Sequence, residues 1–325
     1  MDATPQQPGA GAPAVGPVVV GVDGSVPARA ALHAALRAAA ERAAGLLVVS
    51  SFASDLYWLG GAGVVVPLVD DVRGATRRLT EELVASVREE VPEADGVPVD
   101  VDVTPESPAA ALVSRSADAQ LVVVGNRGRG AVRSALLGSV ALHTVTHARC
   151  PVLVVHPRTD EPAAPPRVVA GFDGSATAHA ALAAAVEEAA RTGAELHVLA
   201  TYVLTDYWVD LSSVVVPSRD EVRGDLRRRV DEAVDGVLGG RPADAPVPRV
   251  DVDVVEGAAS DVLVDRARDA ALLVVGGRGR GAVRGLLVGS VALHCAVHAA
   301  CPVLVVHPAG RRTGVTVDAG EPARA

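Results

Sequence analysis

The sequence of 325 residues contains no lysine, only three cysteines, and few aromatic side chains, which make up 2% of the chain. Without lysine, every mechanism that needs an amine side chain is excluded, including the phosphate-binding P-loop with its Gly-Lys pair. Three cysteines do not make a disulfide framework in a chain of this size, which favours a reducing, cytoplasmic location. The scarcity of aromatics predicts a core of valine, leucine and alanine.

The sequence also lacks long apolar runs and an excess of positive charge. No stretch reaches the roughly 18 apolar residues of a membrane-spanning helix. The formal net charge of −9 argues against nucleic acid or an anionic membrane as a partner. Residues 1–15 have neither the basic start nor the apolar segment of a secretory signal. They and residues 309–325 are predicted to be disordered tails.

The chain is an internal duplication. VVVGVDGSVPARAALHAAL begins at Val18 and VVAGFDGSATAHAALAAAV at Val168, while CPVLVVHP begins at both Cys150 and Cys301. One residue is therefore inserted between the middle and the end of the second copy. The pattern predicts two copies of one domain, at 16–157 and 167–308, joined by a Pro-rich linker at 158–166.

Each copy alternates short apolar runs with helical patterns. In the first copy, Val18–Val22 and Leu46–Ser51 are typical of strands buried on both faces. Ser25 is a candidate N-cap for the following alanine-rich helix. The alternating VPVDVDV suits an edge strand. Strands alternating with helices predict right-handed βαβ units and a parallel sheet with helices on both faces.

A glycine- and arginine-rich stretch follows the fourth strand of each copy, and we call it the glycine phrase. GNRGRGAVRSALLGSVALH begins at Gly125 and GGRGRGAVRGLLVGSVALH at Gly276. In each, two glycines stand three residues apart, and nine further residues precede a Gly-Ser pair where a helix begins. We call the three glycines of this spacing the first, second and third glycines of the phrase: Gly125, Gly128 and Gly138 in the first copy, and Gly276, Gly279 and Gly289 in the second. Glycine permits positive φ and close approach of backbone N–H groups to an anion, and a helix N-terminus adds free N–H groups and a positive dipole end. The phrase predicts a polyphosphate cradle at the sheet edge where open α/β folds bind ligands.

An aspartate follows the first strand of each copy, at Asp23 and Asp173. A carboxylate there can accept hydrogen bonds from ribose hydroxyls or an adenine amine. The alternative is that the aspartate only organises the turn and caps the next helix. For the glycine phrase, the alternative is a tight strand–helix loop with solvated arginines.

Other motifs fail on detail. A Rossmann fingerprint should follow the first strand, whereas this phrase follows the fourth. RNA-binding Arg-Gly tracts are disordered tails rather than parts of a folded repeat. The GSV triplet lacks the G-x-S-x-G frame of a nucleophile elbow. The pairs His143–His147 and His294–His298 have a spacing that can bind a metal, but no third ligand is evident and no metal site is predicted.

With these elements in this order, the sequence resembles the universal stress protein family in its tandem form. The resemblance rests on the aspartate after strand one and on the G-x-x-G-x9-G-[S/T] phrase, both present in each copy. It implies two tandem α/β domains of the adenine-nucleotide α-hydrolase-like fold, each a five-stranded parallel sheet of order 3-2-1-4-5. It also implies ATP binding, with Mg²⁺ left open as a companion ion. Pairing of the last strands would form an intramolecular pseudo-dimer. A homodimer of the whole chain and an unidentified protein partner remain open.

The resemblance assigns site residues by position. Asp23 and Asp173 would contact the nucleoside, and the backbone at Ser51 and Thr201 would meet adenine. The family usually has an apolar residue near those two positions and a glycine where Glu106 stands. The remaining residues would hold the phosphates: Gly125, Gly128, Gly138, Ser139 and Val140, and in the second copy Gly276, Gly279, Gly289, Ser290 and Val291.

The expected function is that of an ATP-binding, non-enzymatic stress-response or signalling protein with one nucleotide pocket per domain. Bound nucleotide would favour one loop conformation that a partner detects. The glycine phrase contains no carboxylate, and no candidate base repeats beside it, so no catalytic residue is predicted. Two alternatives stay open. One is a slow ATP hydrolase that acts as a timer, with arginines of the phrase offsetting phosphate charge. The other is a structural pseudo-dimer with empty pockets.

Overall fold

The computed structural model describes residues 16–52, 69–129, 137–157, 165–203, 218–279 and 288–307. The predicted tails and the middle of each glycine phrase lie outside the described residues. So do two repeated aromatic pairs, Tyr57-Trp58 in the first copy and Tyr207-Trp208 in the second. In the described part of the first copy, five strands alternate with four helices, and a short 3₁₀ turn is present at Pro92–Ala94. The elements are β1 (Val18–Gly21), α1 (Val26–Glu41), β2 (Leu46–Ser51), α2 (Val69–Arg88), β3 (Val99–Thr104), α3 (Pro108–Arg115), β4 (Leu121–Gly125), α4 (Ser139–His147) and β5 (Val152–Val155).

The described part of the second copy repeats this order. Its elements are β6 (Arg167–Gly171), α5 (Ala176–Thr192), β7 (Glu195–Tyr202), α6 (Arg219–Gly239), β8 (Val250–Glu256), α7 (Ala259–Arg266), β9 (Leu272–Gly276), α8 (Ser290–His298) and β10 (Val303–Val306).

The first helix of each copy begins at a serine N-cap. Ser25 Oγ accepts a hydrogen bond from the N–H of Ala28 at 3.3 Å, and Ser175 Oγ accepts one from Ala178 at 3.2 Å. Each bond satisfies an N–H group that has no partner inside the helix. The N-cap predicted at Ser25 is therefore confirmed, and both helices start three residues after the aspartate that follows the first strand.

The ten strands form one sheet in the order β3-β2-β1-β4-β5-β10-β9-β6-β7-β8. Within each copy the strands are parallel and their order is 3-2-1-4-5, as the fold class predicts. The two five-stranded units meet where β5 and β10 pair in antiparallel fashion, with Val303 opposite Val154 and Val305 opposite Val152. The neighbours β1 and β4 lie near the centre of the first unit, and their equivalents β6 and β9 lie near the centre of the second.

Two aliphatic cores cover the two faces of this sheet. Helices α1, α2, α5 and α6 pack on one face, and helices α3, α4, α7 and α8 pack on the other. Each core contains residues of both copies, so both continue across the β5–β10 seam. Val18, Val19 and Val20 in β1 are fully buried. Valine, leucine and alanine dominate, as the scarcity of aromatics predicts.

The outermost strands β3 and β8 carry charge on their exposed positions. Asp100 and Asp251 are exposed at the two edges of the sheet, while Val103 and Val254 are buried. Exposed carboxylates on an edge strand oppose pairing with further strands. The edge position predicted from VPVDVDV is confirmed. Among the helices that the structure describes, none combines the length and apolar character needed to cross a bilayer.

Candidate functional site

The candidate site of the first copy lies where β1, β4 and α4 converge. Asp23 Oδ1 accepts a hydrogen bond from the N–H of Ser25 at 2.9 Å, and Oδ2 accepts one from the N–H of Arg129 at 2.8 Å. The aspartate therefore organises its own turn and also ties that turn to the glycine phrase. Burial raises the pKa of Asp23, but hydrogen bonds from Ser25 and Arg129 outweigh that effect, and the pKa lies below its ordinary value. The carboxylate is thus ionised at neutral pH.

The second copy repeats this arrangement around Asp173. The N–H of Ser175 donates to Asp173 Oδ1 at 2.9 Å. A Cβ atom built on Gly279 would lie 2.7 Å from Asp173 Oδ2, and one built on Gly128 would lie 2.7 Å from Asp23 Oδ2. The second glycine of each phrase therefore passes close against the aspartate after the first strand.

The phrase glycines are needed for space rather than for positive φ. A Cβ on Gly125 would lie 2.7 Å from the carbonyl group of Pro27, and one on Gly276 would lie 2.9 Å from the carbonyl carbon of Thr177. Among the described glycines of this region, positive φ occurs at Gly24 and Gly174, which directly follow the aspartates. The expectation that the phrase glycines serve positive φ is corrected, because the first helix and the aspartate crowd them instead.

The third glycine of each phrase caps the next helix with its backbone alone. The N–H of Gly138 donates to Asn126 O at 2.7 Å, and the N–H of Gly289 donates to Gly277 O at 2.7 Å. Neither cap makes a side-chain hydrogen bond to its helix. The N–H groups of the first turn, including those of Ser139 and Ser290, have no acceptor inside the helix and form the positive end of the helix dipole. Together, the second and third glycines and the first turn of α4 form the first cradle, and their equivalents with α8 form the second cradle.

The base end of the predicted pocket is most clearly formed in the second copy. Asp173 and Thr201 line a cavity of about 230 Å³ at the carboxyl ends of β6 and β7. Phe172, Tyr202 and Arg229 also line it. In the first copy, Ser51 ends β2, and its Oγ atom is buried with no hydrogen-bond partner among the described residues. In the second copy, the structure thus brings the aspartate and the end of the second strand to one place, as the sequence predicts.

A larger cavity of about 630 Å³ lies elsewhere, between α2 and the edge strand β3. Charged side chains such as Arg77, Glu81 and Arg88 line it, and none of the predicted site residues does. Size alone therefore does not identify the site, and the convergent polar groups at the strand ends do so better.

The arginines of the phrase are partly described. Arg129 places its guanidinium directly over Gly24, next to Asp23, where a positive charge meets the carboxylate. Arg127 holds its Nε atom buried with no hydrogen-bond partner among the described atoms. Arg133, Arg280 and Arg284 lie outside the described residues. Arg129 is thus exposed, with its backbone bonded to Asp23 and its charge close enough to lower the pKa of that carboxyl slightly.

The rings of the helix histidines lie in pairs, and Cys150 is a buried thiol. The rings of His143 and His147 stack at 4.1 Å, and those of His294 and His298 lie 4.4 Å apart. Among the described residues, no group of three or more His, Cys, Asp or Glu could hold a metal ion. Burial raises the pKa of the Cys150 thiol to about 12, which keeps it protonated and unreactive.

Sequence reasoning missed two histidines, His156 and His307, which directly follow the last strand of each copy. Each places its Nε2 atom within hydrogen-bond distance of a backbone carbonyl in the other copy. The signal was present, because His-Pro closes the repeated CPVLVVHP in both copies. A repeated polar residue at the end of a buried strand indicates a shared structural role.

The geometry defines the class of protein as a tandem α/β fold in which an aspartate, a glycine turn and a helix start come together in each copy. Residues 15–156 and 166–307 each match the model of the Universal stress protein family. A universal stress protein of Mycolicibacterium smegmatis is 33% identical over 296 residues, covering 90% of this chain and 97% of that protein. Another from Mycobacterium tuberculosis is 34% identical over 315 residues, covering 89% of this chain and 96% of that protein. The chain belongs to the universal stress protein family.

A solved structure supports the fold. A universal stress protein from Archaeoglobus fulgidus has a TM-score of 0.62 to this chain at 19% identity, covering 90% of this chain and 98% of that one. The fold of this chain is therefore shared with an experimentally determined protein.

Proposed function

We propose that this chain is an ATP-binding, non-enzymatic stress-response protein with one nucleotide pocket in each domain, the domains spanning 16–157 and 167–308. The observation that carries the proposal is the convergence, twice, of an aspartate, a glycine turn and a helix start without a side-chain cap. Backbone N–H groups at such a helix start are a ready site for phosphate oxygens. The shape and the donor set therefore fit a nucleotide.

Each part of the site has a distinct role in this proposal. The aspartates Asp23 and Asp173 accept hydrogen bonds from ribose hydroxyls or the adenine amine, and the strand ends at Ser51 and Thr201 meet the base. The glycines keep the cradle open, since a Cβ on Gly138 would lie 3.3 Å from Arg127 Cα. The phosphate-holding residues are Gly125, Gly128, Gly138, Ser139 and Val140, with Gly276, Gly279, Gly289, Ser290 and Val291 in the second domain.

The nucleotide supplies negative charge that the free N–H groups of α4 and α8 then stabilise. Bound phosphates would hold the glycine phrase in one conformation, and that conformation is the signal available to a protein partner. Where Mg²⁺ accompanies ATP, the phosphates and water would carry it, because the described residues offer no cluster of acidic or histidine ligands.

A role without catalysis is supported by the state of Asp23. Its two oxygens already accept N–H groups from Ser25 and Arg129, and its pKa is below the ordinary range. Such a carboxylate is a weak base and a poor activator of water. Slow ATP hydrolysis as a timer is the alternative, and single-turnover assays with Mg²⁺ separate the two.

The proposed location and assembly of the protein are supported by its net charge, its cysteine content and the pairing of its two domains. A net charge of −9 and three cysteines support a cytoplasmic protein that does not bind nucleic acid. Antiparallel pairing of β5 with β10 supports an intramolecular pseudo-dimer. A homodimer of the whole chain would then use another surface.

The test is to identify nucleotide released from the purified, denatured protein by chromatography. We expect about two ATP per wild-type chain and none in the Gly138→Asp/Gly289→Asp double variant, because a carboxylate in each cradle repels phosphate. The matched control is Gly96→Asp/Gly236→Asp, which adds the same charges where a Cβ would meet nothing within 4 Å.

The control variant should keep both nucleotides. If the wild type releases no nucleotide and binds no added ATP in calorimetry, the proposed function is wrong and the structural pseudo-dimer with empty pockets takes its place. Equal loss of ATP in the control would mean that net charge, not the cradles, governs binding.

A further inference from the structure

Two histidines connect the domains across the β5–β10 seam. The Nε2 atom of His156, after β5, lies 3.1 Å from the carbonyl oxygen of Ala296 in α8. The Nε2 atom of His307, after β10, lies 2.7 Å from the carbonyl oxygen of Val145 in α4. Each domain therefore holds the helix that begins at the cradle of the other.

Both histidines are held as neutral donors. A carbonyl oxygen only accepts, so Nε2 of each ring carries the proton and donates it. Burial lowers the pKa of both rings, and the nearby guanidinium of Arg127 lowers the pKa of His156 further, as Arg278 does for His307. The Nδ1 atoms are buried without a hydrogen-bond partner among the described atoms. The hydrogen bond from Nε2 therefore links each ring to the other domain, where the backbone of Cys301 lies near His156 and that of Cys150 near His307; these backbone groups favour the charged ring, but burial outweighs them in the pKa of both histidines.

Backbone hydrogen bonds continue from each histidine into its own cradle. In the first domain, the N–H of Asn126 donates to Val155 O at 2.9 Å, and the N–H of Gly138 donates to Asn126 O at 2.7 Å. Val155 directly precedes His156. A displacement of Gly138 is thus passed through two hydrogen bonds and one peptide link to the ring that holds α8.

The second domain repeats these bonds. The N–H of Gly277 donates to Val306 O at 2.7 Å, and the N–H of Gly289 donates to Gly277 O at 2.7 Å. Val306 precedes His307, and a Cβ on Gly277 would lie 3.4 Å from His307 Cδ2. These four backbone hydrogen bonds and the two histidine contacts make six hydrogen bonds. Together with α4 and α8 as rigid links, they form a closed circuit through both cradles, which we call the hydrogen-bond ring.

We propose that His156 and His307 are positioning residues that couple the two cradles. A nucleotide in one cradle fixes the third glycine and the helix of that cradle. The hydrogen-bond ring then fixes the third glycine and the helix start of the other cradle. The second nucleotide then meets a site that is already ordered, so binding is positively cooperative. This inference rests on the proposed nucleotide sites but goes beyond them, since two independent sites would satisfy the proposed function equally well.

The test uses the full chain with one cradle disabled. In the Gly289→Asp variant, only the first cradle binds ATP, and hydrogen exchange is measured for backbone amides over 290–298 of α8. We expect saturating ATP to slow that exchange about fivefold or more, the lower range of measured couplings. The Gly138→Asp variant gives the reverse measurement, with exchange over 139–147 of α4.

Two double variants separate coupling from packing. His156→Phe/His307→Phe keeps two rings but removes both donors, and it should abolish the ATP-dependent change while the first cradle still binds ATP. His156→Gln/His307→Gln keeps an N–H donor of similar reach and should retain the change. A purely structural role would raise exchange in both variants whether or not ATP is present.

The inference is overturned if ATP binds in the first cradle and α8 does not respond, or if the phenylalanine variant responds as fully as its parent. Complete absence of ATP binding would instead overturn the proposed function. The ring is then tested without ligand by Gly138→Ala, whose Cβ lies 3.3 Å from Arg127 Cα. That change should alter exchange over 290–298 in the parent but not in the phenylalanine variant, and an equal response in both would refute the coupling.

Discussion

The two domains agree closely at the phosphate end of the candidate pocket and differ at its base end. The third glycine of each phrase donates to the second residue of the phrase at 2.7 Å in both domains. A Cβ atom built on the second glycine would lie 2.7 Å from the Oδ2 atom of the aspartate in both. Duplication has therefore preserved these two contacts of the candidate site in both domains.

The base end shows what has diverged. Arg229 lines the cavity of the second domain, whereas the corresponding residue of the first domain is Leu79, which is 66% exposed. Glu106 stands where the second domain has Gly257. Both differences concern charge rather than the fold, and at the proposed base end the exchange of Leu79 for Arg229 should change ligand affinity more than stability.

The largest expected effect comes from the first glycine of each phrase. Gly125→Ala and Gly276→Ala each push a Cβ into the backbone of the first helix, at 2.7 Å in the first domain and 2.9 Å in the second. We expect a loss of about 2 kcal/mol in the free energy of unfolding, with Gly125→Ala the more damaging of the two. Urea unfolding followed by circular dichroism measures it.

The control for this pair is Gly96→Ala, where a Cβ has open space. It should leave the free energy of unfolding unchanged or slightly raised. A result in which all three variants match the wild type would show that the helices yield without cost, and would end the argument that these glycines exist for close packing.

The next effect depends on pH and on the histidines of the seam. The folded pKa of His156 and His307 lies below the ordinary 6.5. As pH falls below 6.5, the unfolded chain takes up protons that the folded chain refuses, so stability is lost, at about 1.4 kcal/mol for each pKa unit of depression once the pH is below the folded pKa. The groups facing these rings, Arg127 and Arg278, oppose protonation further.

The pH dependence of the free energy of unfolding is measured by urea unfolding in buffers at about pH 7, 6 and 5.5. His156→Gln and His307→Gln should each flatten the decline, and by similar amounts if the two halves of the ring are equivalent. Unequal flattening would show that the pseudo-symmetry of the seam does not extend to its energetics, and an unchanged slope would contradict the burial of neutral rings.

Much of the fold could be predicted because its signals are local. The bounds of β2 follow directly from the apolar run Leu46–Ser51, and the start of α1 follows from the N-cap Ser25. Strand order came from the family resemblance, since apolar runs do not specify which strands are neighbours. The aspartate and the glycine phrase could be predicted to lie together because the carboxyl ends of parallel strands share one edge of the sheet.

What could not be predicted depends on contacts between distant parts of the chain. His156 meets a carbonyl 140 residues away, and His307 meets one 162 residues away. No periodicity reports such a partner. The need for glycine at Gly125 and Gly276 could not be predicted either. The crowding there comes from Pro27 in α1 and Thr177 in α5, which are distant from the phrase in the sequence.

A smaller effect should follow from exchanging the residues that differ at the base end. Arg229→Leu, measured by calorimetry in the Gly138→Asp background, should weaken ATP binding in the second domain roughly threefold to tenfold, since one partly screened charge is lost. Leu79→Arg in the Gly289→Asp background should strengthen binding in the first domain. If neither exchange changes the affinity, the cation lies outside reach of the ligand and the base ends are equivalent in function.

The smallest effect is expected at Glu106. Arg115 donates to Glu106 at 2.7 Å and to Asp102 at 2.9 Å, and the hydrogen bond from Arg115 lowers the pKa of the exposed Glu106 carboxyl. Glu106→Gly leaves Arg115 paired with Asp102, the arrangement the second domain already has between Arg266 and Asp253 at 3.0 Å. We therefore expect only a slight fall in the thermal midpoint at pH 7.

Because the pKa of Glu106 is lowered in the folded chain, its contribution is present above the ordinary value of 4.5 and is lost as the pH falls through the folded pKa. The difference between Glu106→Gly and wild type should therefore vanish in acid. Arg115→Leu is the comparison, since it removes both ion pairs and should lower the midpoint further. If Glu106→Gly lowers it as far as Arg115→Leu does, Glu106 is the main partner of Arg115 and the first domain depends on a contact that the second has lost.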